Sequence, residues 1–159
     1  MTEWRALSNA DVVDLAIRLH SLEWSWELDD APKLVADFGW TLNRTLDESV
    51  TFDSGFGRST GTVSLAGRPG MISTQITAYA DDGATCITDA FAGMAVALVN
   101  AIGEPTVRVP GKYPEIRWAG TQTTLVLKSL RVTLKLDLVT NAWLAAHDQI
   151  VDLEKQGLI

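Results

Sequence analysis

A single cysteine, Cys86, stands in 159 residues. It has no partner for a disulfide within the chain, and one thiol cannot build a metal site alone. Histidine is nearly as scarce. His20 and His147 lie far apart and without ligand spacing, so neither a metal nor any other cofactor is expected. The apolar runs fall well short of the ~20 residues that cross a bilayer, which argues against a transmembrane helix and a membrane role. Residues 1–22 carry Glu3, Asp11 and Asp14 in place of a basic start followed by an apolar stretch. No secretory signal is expected, and a reducing cytoplasm is the expected compartment. Lysine and arginine form no cluster that would displace counterions from phosphates, which excludes a nucleic-acid partner.

Acid is what the chain has in excess. The formal net charge is −7, and it is unevenly spread. Residues 1–57 hold eleven acids and four bases, residues 58–140 six acids and eight bases, and residues 141–159 three acids and one base. The two ends are therefore acidic and the middle mildly basic, a distribution that suits attraction of a basic protein partner as well as plain solubility. With 47% hydrophobic and 21% charged residues, the chain reads as one globular domain over residues 1–159.

Local patterns give the element order. Ser8-Asn9-Ala10-Asp11 resembles a capping box, and Val12, Leu15, Ala16, Leu19 and Leu22 follow at helical spacing. Asp30 as N-cap, Pro32 in the first turn and Gly39 as a left-handed stop predict a second, short helix. From Trp40 the period becomes two, and three or four strands are expected before residue 77, with Gly67-Arg68-Pro69-Gly70 as a turn. A long helix rich in small residues is predicted over Thr85 to Ile102 and is closed by Gly103. Strands are then expected around Val107–Val109, Ile116–Trp118 and Thr124–Leu127, with a turn at Lys128-Ser129. A clear alternating strand from Leu130 to Leu138 puts Arg131, Thr133, Lys135 and Asp137 on its wet face. Thr140 or Asn141 caps a last helix. The class is α+β: an antiparallel sheet of six to eight strands with a long central helix, N- and C-terminal helices, and the helices on one face of the sheet.

Chemistry at defined spacing is sparse. Neither histidine accompanies a Gly-x-Ser-x-Gly elbow. Gly55-Phe56-Gly57-Arg58-Ser59-Thr60-Gly61 superficially resembles a phosphate loop, but no helix follows it. The pairs Asp29/Asp30, Asp47/Glu48 and Asp81/Asp82 are adjacent residues in turns that normally point apart into water, so no catalytic pair is assigned. The most informative segment is Trp24-Ser25-Trp26-Glu27-Leu28-Asp29-Asp30, which sets two indoles beside three carboxylates. Tryptophan is enriched among interface hot spots, and carboxylates suit a basic partner. The expected partner-binding residues are Trp24, Trp26, Glu27, Asp29, Asp30, Asp47, Glu48 and Phe56, the last as an apolar tip between glycines.

The Trp24–Asp30 run, the loop Asp53-Ser54-Gly55-Phe56-Gly57, the helix segment Asp89-Ala90-Phe91-Ala92-Gly93-Met94 and the ending Asp137-Leu138-Val139-Thr140-Asn141-Ala142-Trp143-Leu144 together resemble an uncharacterised family of short acidic actinobacterial proteins. By class-level analogy that family is similar to immunity proteins of secreted bacterial toxins. The resemblance implies a non-catalytic inhibitor that binds and blocks a cognate toxin domain. A small acidic secretion chaperone, working as a homodimer on a secreted client, is the alternative. An enzyme using His20, His147 or Cys86 is a further one.

Overall fold

In a computed structural model the described residues are 4–65 and 70–158, so the Gly67–Gly70 turn expected from the sequence lies mostly outside them. The first helix, α1 (Asn9–His20), begins where the capping signal places it, with Ser8 Oγ accepting a hydrogen bond from Asp11 N. Val12, Leu15, Ala16 and Leu19 are buried, whereas Asp11, Asp14 and Arg18 face solvent. A single 3-10 turn, Leu28–Asp30, runs directly into α2 (Ala31–Asp37), and Gly39 at φ +77° ends this unit.

Eight strands follow in two sets of four, β1 (Thr41–Thr45) to β4 (Met71–Gln75) and β5 (Val107–Val109) to β8 (Leu134–Thr140). Between the sets lies the long helix α3 (Thr85–Ile102). The last helix, α4 (Asn141–Lys155), starts at Thr140, whose Oγ1 accepts from Trp143 N. All pairings are antiparallel and form one sheet in the order β1-β2-β3-β4-β8-β7-β6-β5. Each set is a meander, and the two join through β4 and β8, whose register pairs Ile72 with Leu138 and Thr74 with Leu136. The class and the eight-stranded antiparallel sheet are those expected from the sequence.

Register assigns every strand residue to a face, because directly paired residues in a ladder point the same way. Trp118, Leu125, Leu138, Ile72, Val63 and Val50 lie across from one another on one face. They share a buried cluster with Val12, Leu19, Ile87, Met94 and Leu98 of α1 and α3. The opposite face carries Arg117, Val126, Asp137 and Ser73 in register. Here α4 packs, since Arg117 bonds Asp148 and a small hollow is lined by Val126 and Val139 together with Trp143, Leu144 and His147. Helices therefore cover both faces, which corrects the one-face arrangement. The amphipathic α4 needed a sheet surface, and the other face was already occupied.

Three further expectations change. The strand predicted from Leu130 begins only at Leu134, and the β7–β8 reversal lies at 130–133, where Leu130 N bonds Thr133 O. The apolar alternation runs unbroken through the reversal because Leu130 and Val132 are themselves half-buried. Asp137 is 1% exposed rather than wet, since α4 covers its face. Helix α3 has 18 residues of mean hydropathy 1.6, long and apolar enough by length and composition to cross a bilayer. That departs from the reading by uninterrupted apolar runs, which Thr88, Asp89 and Asn100 interrupt. In the fold its stripe of Ile87, Met94, Ala95 and Leu98 is buried, and it packs on α1 and β7.

Phe52 fixes the β1–β4 half. Its ring stacks on Trp40 at 4.4 Å and 13°, and it lies directly across from Gly61, where an added Cβ would overlap the ring. Replacing Gly61 with Ala should cost at least about 2 kcal/mol by overpacking. Pairing it with Phe52→Leu should restore part of that loss. Urea unfolding of the two variants measures both effects.

Candidate functional site

Residues 22–27 connect α1 to the 3-10 turn Leu28–Asp30 and are neither helix nor strand. Trp24 and Trp26 are half-buried against the core and meet edge to face, with centroids 5.2 Å apart and planes at 63°. Trp26 has φ +57°, a left-handed conformation that is a true outlier for a bulky side chain. Such backbone strain, of order 1–3 kcal/mol, persists only where the surroundings impose it. Ser25 supplies part of that constraint. Its Oγ donates to Asp30 Oδ2 at 2.6 Å and accepts from Glu27 N at 3.2 Å. Asp30 thus ties the indole segment together instead of capping α2, which has no side-chain cap. The 3-10 turn already provides helical backbone at Asp30, so a capping geometry is not available there.

Trp24 and Trp26 line a cavity of about 580 Å³ whose other walls include His20, Glu23 and the β6–β7 turn at residues 120–123. Glu23, Glu27, Asp29 and Asp30 are all exposed. Counting along the paired register, the β1–β2 turn with Asp47 and Glu48 lies at this same end of the sheet. Four interstrand steps separate it from the β6–β7 turn, roughly 20 Å. Asp47 and Glu48 are exposed and border a separate shallow hollow with Arg44.

Phe56 does not join them. The β2–β3 loop lies at the opposite end of the sheet, and Phe56 is half-buried there beneath the Arg5 guanidinium, 5.0 Å from its ring centroid. The loop is held by Asp53 Oδ1, which accepts from Gly55 N and Gly57 N. Those amides are therefore occupied by the chain's own carboxylate. The residues weighed for an enzyme also separate: His20 ends α1 at the cavity, Cys86 lies in the first turn of α3 at the other end of the sheet, and His147 stacks on Trp143 at 5.0 Å on the α4 side.

A second polar constellation escaped the sequence reading. Arg117 donates Nε to Glu115 Oε2 at 2.6 Å and both terminal nitrogens to Asp148, at 2.7 and 2.9 Å. Bidentate pairing with Asp148, reinforced by Glu115, raises the guanidinium pKa above its ordinary value. The same hydrogen bonds hold the Asp148 carboxyl below the usual range. Beside them Lys128 Nζ lies 2.7 Å from Asp137 Oδ2, and Asp137 Oδ1 has no hydrogen-bond partner among the described residues. The adjoining hollow measures about 50 Å³. That is far below the ~300 Å³ of a ligand site. Arg117–Asp148 ties α4 to the sheet, and Lys128–Asp137 joins β7 to β8 beside it. No local pattern in the sequence marks it, because Arg117, Asp137 and Asp148 are brought together only by strand pairing and by the packing of α4.

Two outcomes check the ion pairs of this face. Lys128→Met should lose about 2–4 kcal/mol by stranding the Asp137 carboxylate, and adding Asp137→Leu should recover most of it. Asp148 has a depressed folded pKa, so its contribution is present above the unfolded value near ~3.9 and is lost as pH falls through the lower folded value. Asp148→Asn should therefore cost about 1 kcal/mol at neutral pH, and the difference from the unaltered chain should shrink steadily as pH falls below the unfolded value of Asp148. Chemical denaturation across that pH range reads it directly.

No curated protein and no solved structure is significantly similar to the chain. One family model matches residues 10–140, from the start of α1 to the end of β8, and so takes in the Trp24–Asp30 segment, the cavity and the central β4–β8 pairing. By that match the chain belongs to DUF6301, a family of unknown function.

Proposed function

We propose that the protein is a non-catalytic binding protein of the immunity type, acting in the cytoplasm by occluding the active site of a cognate basic toxin domain. The observation that carries this reading is the Trp24–Trp26 pair. Two half-buried indoles stand at a cavity on an acidic end of the fold, one of them on strained backbone. Large aromatic side chains that are neither fully buried nor freely mobile suit interface anchors, because they desolvate much area at little entropic cost. Glu27 and Asp29 border the pair and would stand in for the anionic substrate of a basic enzyme, with Asp47 and Glu48 extending the contact across the same end. Asp30 serves the site by holding the segment through Ser25.

Co-expression with the toxin encoded beside this gene provides the test. The intact chain should protect cells and co-purify with the toxin. Trp24→Ala and Trp26→Ala should each weaken the complex by about 2 kcal/mol or more, some 30-fold, without loss of fold. Unchanged toxicity together with no complex would overturn the proposal.

A further inference from the structure

We infer that the cavity walled by Trp24 and Trp26 accepts a protonated arginine or lysine side chain presented by the basic partner, an inference that rests on the partner-binding reading above. Four observations converge on a cation. The edge-to-face pair uses the edge of one ring against the face of the other, so the pair itself does not cover every π face. An indole face attracts cations more strongly than other aromatic side chains do. Elsewhere the chain's own arginines already occupy phenylalanine faces, Arg18 over Phe38 at 4.3 Å and Arg5 over Phe56 at 5.0 Å. Among the described residues no lysine or arginine lies over Trp24 or Trp26, and none lines the cavity.

The cavity wall is also negative. Glu23 lines it, and His20 and Ser21 bring the last turn of α1, whose carbonyl end carries partial negative charge, to its edge. Between Arg18 and Lys33 the chain has four carboxylates and no lysine or arginine to neutralise them. At about 580 Å³ the space admits a long side chain together with water. Arginine fits best, since a planar guanidinium lies on an indole face while still donating to a carboxylate. No atom is transferred. The gain is recognition, and it is charge-specific.

The test titrates the full chain with Nα-acetyl-arginine amide and Nα-acetyl-lysine amide, reading the indole N–H signals by NMR. Nα-acetyl-norleucine amide serves as the neutral analogue of similar length. Saturable shifts of the Trp24 and Trp26 signals are expected with either cation, at a Kd on the order of 10 mM, and not with norleucine. Glu23→Gln, at an exposed position, should weaken binding at least about threefold, whereas Asp152→Asn on α4 should not change it. Equal shifts from norleucine, no saturable shift from either cation, or equal weakening by both variants would overturn the inference. The two readings fail separately. A toxin complex that depends on Trp26 while neither cation saturates leaves partner binding standing and removes the cation. Cation binding with a complex indifferent to Trp26 does the reverse.

Discussion

The pairing of β4 with β8 is the constraint on which the rest of the molecule depends. It pairs residues sixty or more positions apart and converts two separate meanders into one sheet. A four-stranded meander with a single helix has little to bury. Joined, the two halves present a continuous apolar surface from Phe52 to Trp118, on which α1 and α3 lie side by side. The register of that one ladder also decides which residues face α4. A slip of one position would turn Leu134, Leu136 and Leu138 away from α1 and α3 and drive Asp137 into the main core.

The two faces are stabilised by different physics. On the α1–α3 face burial is almost wholly apolar and tolerant of direction, and its specificity comes from shape, as with Phe52 against Gly61. On the α4 face the contact mixes Val126, Val139, Trp143 and Leu144 with a directional ionic set. The two nitrogens of Arg117 that bond Asp148 fix both the rotation and the height of α4 on the sheet. A partly buried ion pair contributes little net stability, but its bidentate geometry penalises misplacement. That division suits a helix which follows the last strand without a linker and which therefore needs its docking angle specified.

Much of this was legible in the sequence, and the exceptions share a cause. The bounds of α3 and α4, the capping role of Ser8 and the alternation in β8 follow from local chemistry, and local chemistry is what a sequence displays. What escaped was set by residues distant in the chain. Asp137 looked wet because alternation shows which residues share a face but not whether a helix covers it. The β7–β8 reversal was displaced because Leu130 and Val132 stay half-buried through the turn. Asp30 read as an N-cap until the 3-10 turn before it removed the capping geometry and left its carboxylate for Ser25. Of the candidate contact residues, the Trp24–Asp30 cluster and the Asp47/Glu48 turn come to one end of the sheet. Phe56 goes to the other, an outcome that only strand direction determines.

Trp26 is the residue at which side chain and backbone conformation pull apart. For stability alone, glycine would suit a backbone at φ +57°, and a smaller apolar residue would suit a half-covered position on the connection between α1 and α2. The chain instead holds a bulky side chain in a conformation that opposes it, and the Ser25–Asp30 bond restrains the segment around it. Strain of this kind is maintained where a side chain must point in one direction. Here that direction is into the cavity shared with Glu23, so the geometry that makes the segment costly to fold is the same geometry that sets an indole in the cavity wall.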